Sequence, residues 1–363
     1  MNNQQTAQTG VPKPPKVMKE SKNKIKVDFE RTPLKERLKA KFLNGYFFKN
    51  LIWGLFRYVL LIGISYVILF PFYTKLASSF MSPDDFVDVT VRLLPRRPTL
   101  ETYRAIIVDH KYFTALLNTF VLSLICGVLQ TFICCVIGYG FAKFKFKGNN
   151  LLFLLVIFTM VVPHTTLQLS LFMEFRYFDI LKFGGKFGII NFLGGGVIDA
   201  IKIIDQTSIN MINTNLPLYI LSLTGLAYKN GLYIFLLRQF FRGIPDELEE
   251  SAYLDGSGVF STFVRIIIPL SVTMMVTVFM FSFCWQWTDN FYTELFYTTA
   301  GELLLPDIIK VPKSLDTNYA GQALYTAAIR NACGILIIAP LIVLYLFGQR
   351  YIVEGIERSG ITG

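Results

Sequence analysis

The chain has 363 residues, 53% of them hydrophobic and only 17% charged, with 34 Phe and a net charge of +10. A water-soluble domain of this length needs less apolar surface and carries more charge, so a soluble enzyme or binding module is excluded as the whole account. The basic excess is not a nucleic-acid patch: residues 1–50 alone hold 12 Lys and Arg against 4 Asp and Glu, directly ahead of the first apolar run.

Residues 1–31, rich in Lys, Pro, Gln, Asn and Ser, read as a disordered basic tail. The first apolar run begins after residue 50, too late for a secretory signal peptide. From Thr32 a helix start is predicted, with Pro33 at the first helical position and Leu34, Leu38 and Phe42 on one face. Lys35, Arg37, Lys39 and Lys41 surround that face, so residues 32–50 are expected to lie on an anionic lipid surface, with a solvated charged linker as the alternative.

A helix needs about 20 apolar residues to cross the hydrocarbon layer. Runs of that kind occur near 52–75, 115–140, 150–173, 215–237, 266–287 and 329–348. The fold class is therefore an all-α polytopic membrane protein, with six spans in a transmembrane domain over 51–350 and a tail over 351–363. The positive tail fixes the orientation, and "KFKFKGNN" (143–150) and "QRYIVEGIERSGITG" (349–363) fall on the same side. Both termini are thus expected in the cytoplasm of a cell bounded by this plasma membrane, with 76–112, 174–214 and 289–327 outside. A seventh span at 187–204 is rejected. Gly194, Gly195 and Gly196 weaken the helix there, and Asp199 and Lys202 would each cost about 2.5–3.5 kcal/mol in lipid. The segment 174–214 is read as an external insertion.

Cys126, Cys134, Cys135, Cys284 and Cys333 all fall in predicted spans and form no CxxC pair, so they read as small buried hydrophobes. Two histidines, His110 and His164, make a His-based metal site unexpected. No cofactor is expected, and no Ser/His/Asp or paired-carboxylate group points to catalysis.

Between the fourth and fifth spans, on the cytoplasmic side, stands "FRGIPDELEESAYLDGSGVFSTFVRIIIPL" (241–270). Pro245 suits a first helical turn, and Asp246, Glu247, Glu249 and Glu250 load the N-terminal end with negative charge that the helix dipole favours. Gly256 breaks the helix, and small residues keep the surface thin, a shape a partner's cleft can grip. A solvated loop helix fits the composition equally well. Glu249, Glu250, Ala252, Tyr253, Asp255, Gly256, Phe263, Ile266 and Pro269 are spaced as in the EAA loop of ATP-binding-cassette importer permeases, which this segment resembles. Ser251, Leu254, Ser257 and Gly258 depart from that pattern by small changes. The flanking "NGLYIFLLRQFFRGIP" (230–245) and the terminal segment are similar to the carbohydrate branch, specifically its maltose-type second permease. The resemblance covers about 51–173 and 215–363. It implies a type I importer permease fold and an EAA helix docking into an ATPase subunit through Glu249, Glu250, Ala252, Tyr253, Asp255, Gly256 and Ser257. Glu250 is then expected to meet basic groups, and Asp255 to cap or pin the turn.

Sugars present CH faces and hydroxyls, so their sites combine aromatic platforms with neutral polar groups. "FCWQWTDNFYTELFY" (283–297), at the outer end of the fifth span, is dense in both. It resembles the W-N-D-F-type segment of the branch only with one residue inserted. Trp287, with Trp285, Gln286, Asp289 and Asn290, is the candidate pathway lining; an interfacial aromatic belt is the alternative. Asn118, Gln130 and Asn331 inside spans either face the pathway or join helices.

The expected function is a permease subunit that forms half of the pathway for a sugar or oligosaccharide. The implied partners are a second, similar permease, two ATPase copies, an extracellular solute-binding protein, the sugar and membrane lipid, with no nucleic acid. No phosphate-binding Gly-rich loop is present, so ATP hydrolysis falls to another chain. A permease for a non-sugar solute is the near rival. A secondary transporter is the distant one, since no inverted repeats or intramembrane charges for a coupling ion stand out.

Overall fold

The computed structural model describes residues 45–178, 209–298, 303–315 and 321–360. The basic tail, most of the 32–50 helix and the middle of the 174–214 insertion lie outside the described residues. Among those described there is no β-strand, only an isolated antiparallel bridge between Phe178 and Ile209. The chain divides into two compact units, Met1–Leu69 and Phe70–Gly363.

Helix α1, Gly45–Ser79, begins earlier than the predicted 52 and absorbs the end of the expected interfacial helix. In the first unit its apolar side chains, Trp53, Ile62 and Val67 among them, are exposed. A helix apolar on all sides belongs in lipid or against another chain. Within the second unit α1 ends on buried Ala77 and Ser79, and Ser79 Oγ lies 2.7 Å from Tyr103 Oη.

The second unit is built around α3, Tyr112–Lys143, which follows the short α2, Glu101–Asp109. Along α3 the buried positions Ala115, Thr119, Leu122, Cys126, Gln130 and Cys134 recur every three or four residues, one face of a helix. That face packs on α7, Asn230–Arg242, and on α10, Ile268–Trp287; α10 packs in turn on α12, Gln322–Gly360. In α12, Tyr325, Ile329, Ala332, Cys333 and Ile337 form the matching buried stripe.

Among the described residues four helices are long and apolar enough to cross a membrane, and a bent pair, counted as one span, makes a fifth. The six predicted spans are therefore not six straight helices. The third is α4, Asn149–Val161, followed after Pro163 by a 3-10 turn and α5, Gln168–Arg176, with a bend of 94°. Proline supplies no N–H and disfavours helix in the residue before it, which ends α4 there. The predicted fourth run folds as two short helices, α6, Leu216–Leu223, and α7, with a break over 224–229, and neither is among the helices long enough to cross. Gly225 at φ +76° makes the break, because Leu226 and Ala227 N–H both turn back to Leu221 O.

The described flanks of 174–214 pack inward. Phe175, Met211 and Ile212 are buried in a core cluster with Leu122 and Phe296, so both flanks of 174–214 belong to the bundle. The five cysteines are free, four of them buried, as packing residues should be.

Candidate functional site

The acidic element between the fourth and fifth spans folds as α8, Glu247–Leu254, then α9, Val259–Thr262, and a π-turn over Phe263–Ile267 that runs into α10. Pro245 stands one residue ahead of the N-cap, Asp246, not in the first turn. Pro269, lacking an N–H, leaves no donor for Arg265 O, and Ile268 N–H reaches five residues back to Phe263 O instead.

Helical spacing sorts the residues of α8 into two faces. Glu249 and Ala252, three apart, are buried, while Glu250 and Leu254, four apart, are exposed. Inside, Tyr139 Oη donates to Glu249 Oε1 at 2.7 Å, and Lys143 Nζ lies 3.7 Å from Glu249 Oε2. The same ammonium donates to Ile244 O at 2.7 Å and to Asp246 Oδ1 at 2.5 Å. Two of its protons thus have acceptors, and the Glu249 carboxylate adds an opposite charge, which together compensate a nearly buried lysine. Its hydrogen bond and charge hold the Asp246 carboxyl below the usual range. The Tyr139 ring sits among Phe144, Phe241 and Phe263. Glu249 is therefore an internal tether between α8 and α3, a role its place in the expected docking set did not suggest.

The turn after α8 is closed by backbone. Gly256, at φ +83°, sends its N–H to Tyr253 O, and Ser257 N–H reaches Ala252 O at 2.9 Å, the paired bonds of a Schellman motif. Asp255 is exposed beside it, so the pinning expected of its side chain is done by the main chain. Leu254 and Phe260 are left 89% and 79% exposed next to Glu250. A rigid acidic helix tip with two bare apolar side chains is a docking surface in form.

At a second place the two broken spans meet the end of the fifth. His164, in the turn after α4, lies with its ring centroid 3.7 Å from that of Tyr228, in the break between α6 and α7. Both line a cleft of about 240 Å³ together with Lys229, Trp285, Gln286 and Asp289. Lys229 Nζ sits 4.0 Å from the Tyr228 ring centroid and 4.3 Å from that of Trp285. Irregular backbone at membrane depth is tolerated where it lines a cavity. Asp289 Oδ2 accepts the N–H groups of Tyr292 and Thr293 at 3.0 and 3.1 Å, starting α11, Phe291–Phe296. Asn290 is exposed at the rim, and Gln130 at the back ties three helices, donating to Ser222 Oγ and accepting from Ser282 Oγ.

Two predicted pathway residues are not in this cleft. Trp287 is 1% exposed, packed on Phe283, and its Nε1–H donates to Ile337 O at 3.0 Å. Pro340 deprives Leu336 O of its helical partner, and Tyr112 Oη donates to it at 2.9 Å; Trp287 donates to the adjacent carbonyl, that of Ile337. Trp287 joins α10 to α12 and does not line the cleft. Asn118 donates to Leu303 O, and Asn331 to Ser78 Oγ. Sequence reasoning does not single out Tyr228 and Lys229, and it reads His164 as a packing residue with polar-cavity lining as the alternative. Lys229 inside the fourth apolar run was the available signal, and it corrects the reading that no intramembrane charge stands out.

Apolar helices bundled around α3, with an anchored acidic helix displayed between two of them, define a multi-pass membrane protein. The family model described as "Binding-protein-dependent transport system inner membrane component" matches residues 135–358, and the chain belongs to that family. It is a transport subunit, not an enzyme, and its system includes ATPase subunits and a solute-binding protein. The arabinooligosaccharides transport system permease protein AraQ of Bacillus subtilis is 27% identical over 304 residues, 83% of this chain and 92% of that one. The Escherichia coli inner membrane ABC transporter permease protein YcjP is 24% identical over 299 residues, 82% of this chain and 92% of its own. A bacterial ABC transporter "involved in the import of the acidic polysaccharide alginate" shares the fold, with a TM-score of 0.61 and 20% identity over 84% of this chain and 97% of that one.

Proposed function

We propose that this chain forms half of the translocation pathway of an ATP-driven importer for a sugar or oligosaccharide. It pairs with a second, similar permease on two ATPase copies, in a plasma membrane with both termini in the cytoplasm. The observation that carries the coupling role is the two-faced α8: Glu249 is tethered inside while Glu250 and Leu254 face out, with Phe260 of α9 exposed after the turn. A helix held that firmly moves as a rigid body with its spans when an ATPase groove pushes it. Relatives such as AraQ and the alpha-glucoside transport system permease protein AglG of Rhizobium meliloti carry sugar names. The cleft suits that chemistry, with the half-exposed Trp285 as a platform and Gln286 and Asn290 as hydrogen-bonding groups. Copurifying the tagged chain in mild detergent and identifying its companions tests this directly. A second permease, an ATPase and sugar-stimulated ATP hydrolysis are expected; a chain that transports alone refutes the reading.

A further inference from the structure

We infer that Lys229 makes the cleft a site for an acidic sugar, its ammonium receiving the carboxylate of a uronic acid. The inference rests on the sugar-importer reading above. Lys229 lies in the break between α6 and α7, within the predicted fourth apolar run, where a charge is expensive and marks a functional position when it faces a cavity. It makes no ion pair with any carboxylate among the described residues. The acid that shares the cleft, Asp289, commits Oδ2 to the start of α11. What holds the ammonium is the pair of rings of Tyr228 and Trp285. A cation over aromatic faces is oriented and partly desolvated, yet keeps its full charge and its protons for an anion.

The rest of the lining fits the remainder of such a sugar. Tyr233 Oη and Gln286 Nε2 are buried atoms with no hydrogen-bond partner among the described residues, and both line the cleft. Buried polar atoms in that state are ready to exchange hydrogen bonds with hydroxyls. Trp285, 51% exposed, offers the apolar face of a pyranose a surface beside the charge. When the carboxylate leaves, the rings again hold the ammonium, so the charge is never stranded and binding stays reversible.

The test uses the assembled importer in nanodiscs without its binding protein, and follows intrinsic tryptophan fluorescence. The probes are digalacturonate and dimannuronate, each beside its carboxyl-reduced neutral counterpart. Wild type is expected to bind at least one uronate tenfold or more tightly than its neutral form. Lys229→Met and Lys229→Gln should bring the two within about twofold, whereas Lys229→Arg should keep most of the preference. Equal binding by wild type, or a preference that survives both uncharged variants, overturns the charge assignment and leaves the sugar reading standing. No response to acidic and neutral sugars alike overturns the cleft as a sugar site altogether.

Discussion

Tyr139 donates its phenolic hydrogen to Glu249 across 2.7 Å, joining the third helix of the bundle to the acidic helix between the fourth and fifth spans. Lys143, one turn further along α3, adds its charge to the same carboxylate. Sequence separation hides this contact, yet it decides how tightly α8 is fixed to the spans it is proposed to move.

Breaking the tether should uncouple before it unfolds. Tyr139→Phe removes one hydrogen bond to a charged group, worth about 1.5–3 kcal/mol. Lys143→Met leaves the Glu249 carboxylate buried without its cation, costing about 3–5 kcal/mol. Tyr139→Phe is expected to lower transport per ATP hydrolysed, and Lys143→Met to lower the thermal midpoint of the purified complex as well. The pair Lys143→Met with Glu249→Leu should recover much of that midpoint, since an apolar pair of similar size carries no stranded charge. A double variant no more stable than Lys143→Met refutes the tether.

The exposed tip should behave differently. Glu250→Lys alters no internal contact, so assembly in the membrane is expected to persist while sugar-stimulated ATP hydrolysis falls tenfold or more. At Gly256 a methyl group meets nothing within 4 Å, and only the φ of +83° opposes it. Gly256→Ala should therefore cost about 1–2 kcal/mol and keep partial coupling. Gly256→Pro cannot adopt that φ and loses the N–H given to Tyr253, so coupling should vanish. Full stimulation in both Glu250→Lys and Gly256→Pro removes α8 from the coupling path.

Orientation follows from labelling. Cysteines placed at Lys145 and Ser257 are expected to react with impermeant thiol reagents only from the cytoplasmic face. The buried Cys126, Cys134, Cys135 and Cys333 keep the background low. Reaction of Ser257→Cys from outside would invert the proposed topology.

Sequence pattern was sufficient for the apolar runs, the acidic helix and its glycine turn, because hydrophobic length, dipole-matched charge and a left-handed φ are local properties. It read two spans as continuous because composition does not register a bend. Pro163 and Gly225 break the third and fourth runs, and both breaks open on the cleft. The roles of Glu249 and Trp287 were out of reach for another reason. Each is set by a partner distant in sequence, Tyr139 in one case and the carbonyl near Pro340 in the other. Lys229 was visible as a charge in an apolar run; what no spacing rule supplies is that Tyr228 and Trp285 close around it.

The two neighbouring tryptophans separate pathway from scaffold. Trp287 is buried against Phe283 and donates to Ile337 O, so Trp287→Ala opens a cavity at the contact of α10 with α12 and removes the hydrogen bond that joins them. A change of that kind costs about 3–5 kcal/mol. It should cut the amount of assembled complex while each surviving complex transports nearly normally. Trp285 is half-exposed in the cleft against Lys229 and Tyr228, so Trp285→Ala should leave the amount of complex unchanged and reduce transport per complex several-fold. Trp285→Phe should restore part of it, since a ring still lies beside the ammonium. Quantifying complex by the copurified ATPase and dividing it into the uptake rate gives both numbers for each variant. Normal transport per complex in Trp285→Ala, with a loss in Trp287→Ala instead, would return the pathway to Trp287 and empty the cleft of its proposed role.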